Sequence, residues 1–223
     1  MTGISHLAAD LTGAGAGLSV AVGAGALLGN GLRASGATRF GAANAVTAVR
    51  TVLVAVVTGL VARALLSGEP ASRLLVAVTV VALALDAVDG FVARRTGSAT
   101  ALGARFDGEV DAFLMLVLSA LLVPVVGAWV LAIGLMRYAF LVATFVLPWT
   151  AQALPPRYSR KVVAAVQGVV LVVAAAGVLP GAATVAVLAA ALALLTWSFW
   201  VDVAWLARRR TVPAPAREAV LTR

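Results

Sequence analysis

Apolar residues in this chain form long runs, and short polar segments separate one run from the next. Six runs approach or exceed the ~20 residues that an α-helix needs to cross the hydrocarbon core of a bilayer. We therefore predict six spanning helices, at about 44–68, 72–95, 102–125, 126–148, 160–179 and 182–206. Helix breakers occur where these runs end: SGEPAS at 67–72, PVVGA at 124–128, LPPRYSR at 154–160 and LPGAA at 179–183. The pattern predicts an all-α polytopic membrane protein built as a six-helix bundle.

The glycine-rich segment LTGAGAGLSVAVGAGALLGNGL at 11–32 does not fit this pattern cleanly. It could be a seventh spanning helix, a segment lying on the membrane surface, or a signal-like region. No basic residues precede it, which argues against a cleaved signal peptide. Glycine is common in membrane helices. We favour an extra N-terminal membrane helix and keep the remaining two possibilities open.

The composition supports the membrane assignment and excludes several kinds of chemistry. Hydrophobic residues make up 62% of the chain and charged residues only 12%, with a mean hydropathy of +1.05. A soluble domain carries about 25% charged residues. The chain has no cysteine, so disulfides, thiolate metal sites and cysteine nucleophiles are excluded. The sole histidine, His6, is near a terminus, which argues against histidine-based acid–base or triad chemistry.

The net charge of +8 has a topological origin. Basic residues punctuate the apolar runs and do not form a stripe, so attraction to anionic lipid accounts for them better than nucleic-acid binding does. Basic residues mark cytoplasmic loops, which predicts that one end of the bundle is cytoplasmic. The residues that define that end are Arg33, Arg39, Arg94, Arg95, Arg157, Arg160, Lys161 and Arg208 to Arg210.

The most unusual segment is DAVDGFVARRTGSATALGARFDGEVD at 86–111, which holds five of the nine acidic residues of the chain. Asp86 and Asp89 are three residues apart near the cytoplasmic end of the second predicted helix, and Asp107 and Asp111 are four apart near the start of the third. Both spacings place the two carboxylates on one helical face. The short turn between the helices brings the two pairs together. Because four carboxylates repel one another, we predict a cation between them, Mg²⁺ or Mn²⁺.

The acidic segment could also have a structural role or a role in ion transport. In the first case, the carboxylates would pair with Arg94, Arg95 and Arg105. An idle acid within a membrane is costly, at ~2.5–3.5 kcal/mol on insertion scales, so four in two registered pairs favour a function. In the second case, the acids would line an ion or proton pathway. A pathway would favour acids spread through the depth of the bilayer, whereas these lie at one level.

The same segment resembles the signature of the CDP-alcohol phosphotransferases, also called CDP-alcohol phosphatidyltransferases. That signature is D-x-x-D-G-x-x-A-R, about eight residues, then G-x-x-x-D-x-x-x-D. All eight specified positions are matched, by Asp86, Asp89, Gly90, Ala93, Arg94, Gly103, Asp107 and Asp111. The resemblance covers roughly 40–207 and includes the six helices, with the motif across the second and third. The first forty residues are more apolar than the lead-in usual in the family.

The resemblance implies a reaction and roles for the motif residues. Family members transfer a substituted phosphate from a CDP-alcohol to a second alcohol and release CMP. Asp86, Asp89 and Asp107 would bind two divalent metal ions, with Asp111 joining the second and also acting as the general base for the acceptor hydroxyl. The remaining motif residues would bind the donor: Gly90, Ala93 and Gly103 by allowing close approach of the cytidine, and Arg94 by donating to the diphosphate.

Polar residues outside the motif are weaker candidates. Thr47, in NAVTAVR at the first helix start, could line the nucleotide site or belong to a simple helix-start cluster. Arg137 lies inside the fourth helix and could bind an anionic acceptor, or pair with Asp202 or another buried acid. Gln167, together with Arg160 and Lys161, could meet a phosphate on the acceptor. The sequence leaves the roles of Arg50, Arg137, Arg160 and Lys161 undetermined.

We interpret the protein as a phospholipid-synthesising transferase of the cell membrane with its active site facing the cytoplasm. The expected donor is CDP-diacylglycerol, and the basic residues favour a small phosphorylated acceptor such as glycerol phosphate or inositol phosphate. ARRTG followed by LG also resembles the choline and ethanolamine phosphotransferases, which use a soluble CDP-alcohol and a lipid acceptor. A non-enzymatic cation-binding membrane protein is a further alternative.

The sequence divides into three predicted parts. Residues 1–40 form an apolar N-terminal segment, 41–207 the six-helix domain, and 208–223 a basic, disordered cytoplasmic tail. The family resemblance also suggests a homodimer.

Overall fold

The computed structural model describes the backbone over residues 2–34, 42–96, 101–152, 154–155 and 157–210. Side chains are described over 6–23, 25, 47–88, 106–152, 154–155 and 157–209. Over this part the chain is α-helical and contains no strand. The helices are α1 (Thr2–Ala34), α2 (Ala42–Ser67), α3 (Arg73–Thr96), α4 (Ala101–Val126), α5 (Leu131–Val146), α6 (Tyr158–Ala175) and α7 (Gly181–Arg210). The all-α prediction is confirmed.

Five helices of the described part are long and apolar enough to cross a membrane, namely α2, α4, α5 with the short turn before it, α6 and α7. They correspond to five of the six predicted crossings. The sixth, predicted at 72–95, coincides with α3, whose side chains are described only as far as Val88. The prediction of several membrane-inserted helices is therefore confirmed.

Backbone chemistry explains why two helices end earlier than predicted. Helix α5 stops at Val146 because Leu147 takes an extended conformation (φ −123°, ψ 84°) ahead of Pro148, and a residue before proline is kept out of the helical region. A short 3₁₀ turn, Pro148–Ala151, follows. Helix α6 stops at Ala175, not 179, because Gly177 adopts φ +65° and closes the helix end.

Two more predicted boundaries are corrected. Helix α4 continues through Pro124 to Val126, and α5 begins at Leu131 after a 3₁₀ turn over Ala128–Val130, so the predicted start at 126 was too early. Helix α7 runs to Arg210, which makes the first three residues of the predicted tail helical. Basic residues are favourable in the last turn of a helix. In addition, the Arg209 guanidinium lies 4.3 Å from the centre of the Trp205 ring.

Helix α4 is the centre of the bundle and packs against α2, α5 and α6. Its residues Leu114, Leu118 and Leu122 recur every four positions and are fully or almost fully buried. On α6, a Cβ at Gly168 would lie 3.1 Å from side-chain atoms of both Leu83 and Met115, so the small residue lets α6 approach α3 and α4. This packing brings the ends of α2, α3 and α4 together.

Helix α1 lies antiparallel along α2. The two backbones touch at Gly13 and Gly59, where a Cβ on either residue would come within 2.7 Å of the other's carbonyl oxygen. Gly17 meets Ala55 in the same way, and Asp10 binds Arg63 at 2.6 Å. The segment at 11–32 is thus part of a helix packed lengthwise on a spanning helix. Its exposed face is apolar and includes Leu11 and Leu18.

Candidate active site

Three of the four predicted metal-binding aspartates meet at one end of the bundle. Asp86 comes from α3, and Asp107 and Asp111 come from successive turns of α4. One carboxylate oxygen from each lies within 4.8 Å of the other two. The side chains are 32–38% exposed, so the cluster is open on one side. The i, i+4 spacing on α4 therefore does place both carboxylates on one face.

The guanidinium of Arg50, on α2, lies among these three carboxylates. Its Nη1 is 2.8 Å from Oδ1 of Asp86 and also donates to Oδ1 of Asp107, while Nη2 donates to Oδ1 of Asp111. The Arg50 side chain is completely buried. We call these four residues the Arg50 cluster. It joins three helices through a single cation.

The sequence carried a signal for Arg50, although its role could not be assigned from that signal. Arg50 is the sole charged residue in the apolar run from 47 to 62 of α2. A cation in such a run is costly unless it is paired inside the bundle. Thr47, the predicted nucleotide-site residue, is buried one turn earlier on the same helix, and its carbonyl accepts a hydrogen bond from Thr51 Oγ1 at 2.7 Å.

The remaining motif residues lie in helices, but their side chains are outside the described residues. They are Asp89, Gly90, Ala93 and Arg94 on α3 and Gly103 on α4. Arg95 and Arg105, the alternative partners of the acids, are outside as well. Within the described part, the basic residue in contact with Asp86 and Asp111 is Arg50.

A second ion cluster joins α6 to α7. Asp202 of α7 is buried and accepts from Nη1 of Arg157 at 2.9 Å, and Nε of Arg160 lies 3.3 Å from its second carboxylate oxygen. Arg160 also donates to the carbonyl of Pro155. We call Asp202, Arg157 and Arg160 the Asp202 cluster.

The structure shows the partners of two polar residues, on α5 and α6, whose roles the sequence left open. Among the described residues, Arg137 pairs with Glu109 and not with Asp202: its Nη2 donates to Oε1 of the half-exposed Glu109 at 2.6 Å. The same guanidinium lies over Gly108, 3.3 Å from where a Cβ would be. Gln167 is buried, and its amide donates to the carbonyl of Ala191 at 2.8 Å, so it ties α6 to α7.

The carboxylates of the Arg50 cluster fit a hard divalent cation. Mg²⁺ and Mn²⁺ prefer oxygen ligands, and the cluster offers one carboxylate oxygen from each of three residues. The open side gives a ligand or substrate access to these oxygens. The completely buried Arg50 lies on the protein side of the same oxygens. The arrangement can therefore hold cationic and anionic groups side by side at one end of the helix bundle.

Comparison with known proteins identifies the family. A family model described as CDP-alcohol phosphatidyltransferase matches residues 40–208, well over half of the chain. No curated protein and no solved structure gives a significant match. The matched region begins just before α2 and ends within α7, so α1 lies outside it. The chain belongs to the CDP-alcohol phosphatidyltransferase family, whose members are transferases that move a substituted phosphate from a CDP-alcohol to an acceptor alcohol.

Proposed function

We propose that this transferase moves the phosphatidyl group of CDP-diacylglycerol to a small phosphorylated alcohol, such as glycerol phosphate or inositol phosphate, and releases CMP at the cytoplasmic face of the cell membrane. The observation that carries the proposal is the meeting of Asp86, Asp107 and Asp111 at one end of the helix bundle. A lipid donor held in the bilayer can reach such a site without leaving the membrane.

Asp86, Asp107 and Asp111, together with Asp89 from the motif, would hold Mg²⁺ or Mn²⁺. Bound divalent ions supply charge stabilisation to the attacking and leaving oxygens of a phosphate transfer. The fit rests on the all-oxygen donor set and on the spacing of the three described carboxylates. Two ions is the number that the family resemblance implies.

The protein groups perform the rest of the reaction. The hydroxyl oxygen of the acceptor attacks the phosphorus of the phosphatidyl group, and the bond from that phosphorus to the CMP oxygen breaks. Asp111 accepts the hydroxyl proton, and CMP leaves as the second product. The side chain of Asp111 is one-third exposed, which leaves room for an acceptor beside it.

Donor binding is assigned by the motif. Gly90, Ala93 and Gly103 allow close approach of the cytidine, Arg94 donates to the diphosphate, and the buried Thr47 contributes from α2. An arginine suits this role because its planar fork of donors matches phosphate oxygens. The assignments on α3 and α4 follow from the family motif, and that of Thr47 follows from its place at the start of α2.

The charge balance of the Asp202 cluster supports an anionic acceptor. Two guanidinium groups face one carboxylate there. Arg137, half exposed over Gly108, is balanced by Glu109, so the basic excess lies in the Asp202 cluster. In the alternative reaction, the choline-type headgroup of the soluble donor would be cationic, and excess arginine would repel it. The soluble CDP-alcohol alternative is therefore less favoured.

The decisive experiment measures CMP release by the purified protein. Labelled CDP-diacylglycerol is supplied with glycerol phosphate or inositol phosphate, and with free glycerol or free inositol as matched controls lacking the phosphate. We expect CMP and a labelled phospholipid only with a phosphorylated acceptor. Turnover with CDP-choline and diacylglycerol would instead favour the soluble-donor reaction, and cation binding without CMP release from any pair would contradict the enzymatic proposal.

The cytoplasmic orientation can be tested because the chain has no native cysteine. Single cysteines at Ser98 and Ser159 should react with impermeant thiol reagents from the cytoplasmic side, and one at Ser67 from outside. Labelling of Ser98 from outside would overturn the orientation. The domain division at 41–207 and the homodimer remain part of the proposal, and the dimer is testable by chemical cross-linking in native membranes.

Helix α1 completes the proposed architecture as a seventh span. Its support is the antiparallel contact with α2, from Asp10–Arg63 to Gly17–Ala55, and its apolar outer face. Because α2 begins on the cytoplasmic side, an antiparallel α1 has its N-terminus outside. A cysteine replacing His6 should then label from outside, whereas labelling from the cytoplasm would contradict the seventh span.

A further inference from the structure

The environment of Arg50 is unusual for a cation in a membrane helix. The side chain is completely buried, and its two terminal nitrogens contact Asp86, Asp107 and Asp111. Its Nε is buried without a hydrogen-bond partner among the described residues. The interactions that compensate for burying this charge are therefore those with the carboxylates.

Arg50 and a divalent cation would need the same atoms. The guanidinium contacts one Oδ1 on each of the three aspartates, and these residues are the ones whose oxygens come close enough to bind a metal ion. A divalent cation must approach its oxygen ligands to about 2.0–2.6 Å. Two positive groups that close together repel each other strongly in a partly buried site. Full contact of Arg50 with all three carboxylates is incompatible with a fully bound cation.

We propose that Arg50 is the internal counter-ion of the metal-free site: it holds the three carboxylates together before the cation binds, and withdraws from part of them when it does. The inference rests on the proposed function, because the cation is the Mg²⁺ or Mn²⁺ of that site. Arg50 is a positioning residue, since it acts through the aspartates. Its charge stabilises the metal-free protein and opposes metal binding at the same time.

Thermodynamic linkage predicts whether metal affinity rises or falls when the charge of Arg50 is removed. If Arg50 stabilises the metal-free protein more than the metal-bound protein, removing its charge must increase the affinity for the metal. Arg50→Gln removes the charge and keeps a polar, though shorter, side chain. We expect a lower Tm than the wild type in EDTA, a larger rise of Tm on adding Mn²⁺, and Mn²⁺ binding that is tighter by about tenfold or more.

The experiment uses the full-length protein purified in detergent. Thermal unfolding is followed with EDTA and over a range of Mn²⁺, and Mn²⁺ binding is measured directly by electron paramagnetic resonance. Arg63→Gln is the matched control, because Arg63 is on the same helix but pairs with Asp10, towards the opposite end of α2 from Arg50. Its Mn²⁺ affinity should equal that of the wild type.

Arg50→Lys keeps the inference testable if Arg50→Gln does not fold. Lysine retains the charge but has one nitrogen in place of the two that reach Asp107 and Asp111. We expect Mn²⁺ affinity between those of the wild type and Arg50→Gln. Unchanged or weaker Mn²⁺ binding in the position-50 variants that fold would overturn the inference. Absence of Mn²⁺ binding by the wild type would instead overturn the metal site of the proposed function.

Discussion

The two ion clusters of the molecule are built with opposite charge balance. In the Arg50 cluster, three carboxylates surround one guanidinium, whereas in the Asp202 cluster two guanidinium groups share one carboxylate. Both join neighbouring helices, and both bury the minority charge: Arg50 is fully buried and the Asp202 side chain is 8% exposed. The majority charges are about one-third exposed in each.

This difference shows how one type of interaction can serve two functions. The buried ion holds the helices together, and the excess of the opposite sign faces outward, where a ligand can reach it. An acidic excess suits a divalent cation, and a basic excess suits a phosphate. The proposed reaction, which places a metal and a phosphorylated acceptor in one active site, would use both. Substitutions in the two clusters should therefore have different consequences, and all should exceed the effect of a substitution in the exposed Asp10–Arg63 pair. We expect effects that decrease in the order Asp111, Asp202, Arg157 and Asp10.

Asp111→Asn should have the largest effect, on the chemical step. The substitution preserves size but removes the basic oxygen needed to accept a proton, so turnover should fall by ~10²–10⁴-fold. Binding of CDP-diacylglycerol should survive better, because Asp86, Asp89 and Asp107 remain. CMP release and donor binding over a range of Mg²⁺ measure the two effects separately.

Two comparisons sharpen the Asp111 result. Asp10→Asn makes the same chemical change in the pair with Arg63, outside the site, and should turn over normally. Asp89→Asn should impair metal and donor binding together. Normal turnover by Asp111→Asn would refute its role as the base, and loss of donor binding as complete as in Asp89→Asn would make it chiefly a metal ligand.

Asp202→Asn should have the next largest effect, on stability. It leaves Arg157 and Arg160 facing each other without a carboxylate. Breaking a fully buried pair costs ~3–5 kcal/mol. These arginines are 30% and 31% exposed, so we expect a loss of about 2–3 kcal/mol in the free energy of unfolding. Denaturant titration in detergent measures it, and wild-type stability in this variant would show that the cluster is not structural.

Arg157→Gln tests whether the basic excess of the Asp202 cluster binds the phosphate of the acceptor. It removes one guanidinium of the excess pair and leaves Arg160 to neutralise Asp202. We expect the KM for the phosphorylated acceptor to rise by about tenfold, because one charge-assisted hydrogen bond is lost. The KM for CDP-diacylglycerol should be unchanged. Steady-state kinetics with each substrate varied in turn separate the two constants. An equal rise in both would remove Arg157 from a specific acceptor site.

The smallest effect is expected at the ion pair between Asp10 of α1 and Arg63 of α2. Asp10 and Arg63 have side chains that are 51% and 42% exposed, and an exposed pair contributes about 0–1 kcal/mol. Asp10→Asn should therefore change the free energy of unfolding by less than about 1 kcal/mol. Chemical denaturation of Asp10→Asn and Asp202→Asn under the same conditions compares the two changes in the free energy of unfolding. If Asp10→Asn lowered the free energy of unfolding as much as Asp202→Asn does, burial of the minority charge would not distinguish the two ion clusters from the exposed Asp10–Arg63 pair.

Most helices were predictable because their signal is local. A run of about 20 apolar residues identifies a membrane helix without reference to any neighbour, and α2 to α7 all lie where such runs were found. The errors at helix ends arose where a single residue controls the backbone, at Leu147 before Pro148 and at Gly177 with φ +65°. At these ends hydropathy continues across a break that only local geometry enforces.

The candidate site was predictable in part for the same reason. The spacing of Asp107 and Asp111 fixes a shared helical face, and the short sequence separation of α3 and α4 favours the approach of Asp86 to them. No local pattern predicts that Arg50, 57 residues before Asp107, supplies the cation among them. The partner of Arg137 was likewise left open by the sequence, because it depends on which face of α5 packs against α4.

The sequence by itself determined the all-α membrane class, the family motif and the acidic segment, since each depends on residues that are close along the chain. The tertiary structure alone decided which charges meet: Arg50 with three aspartates, and Asp202 with Arg157 and Arg160. The physical reason is that an ion pair forms over a few ångströms in space. The packing and rotation of whole helices set those distances, and many dispersed apolar contacts in the bundle determine that packing.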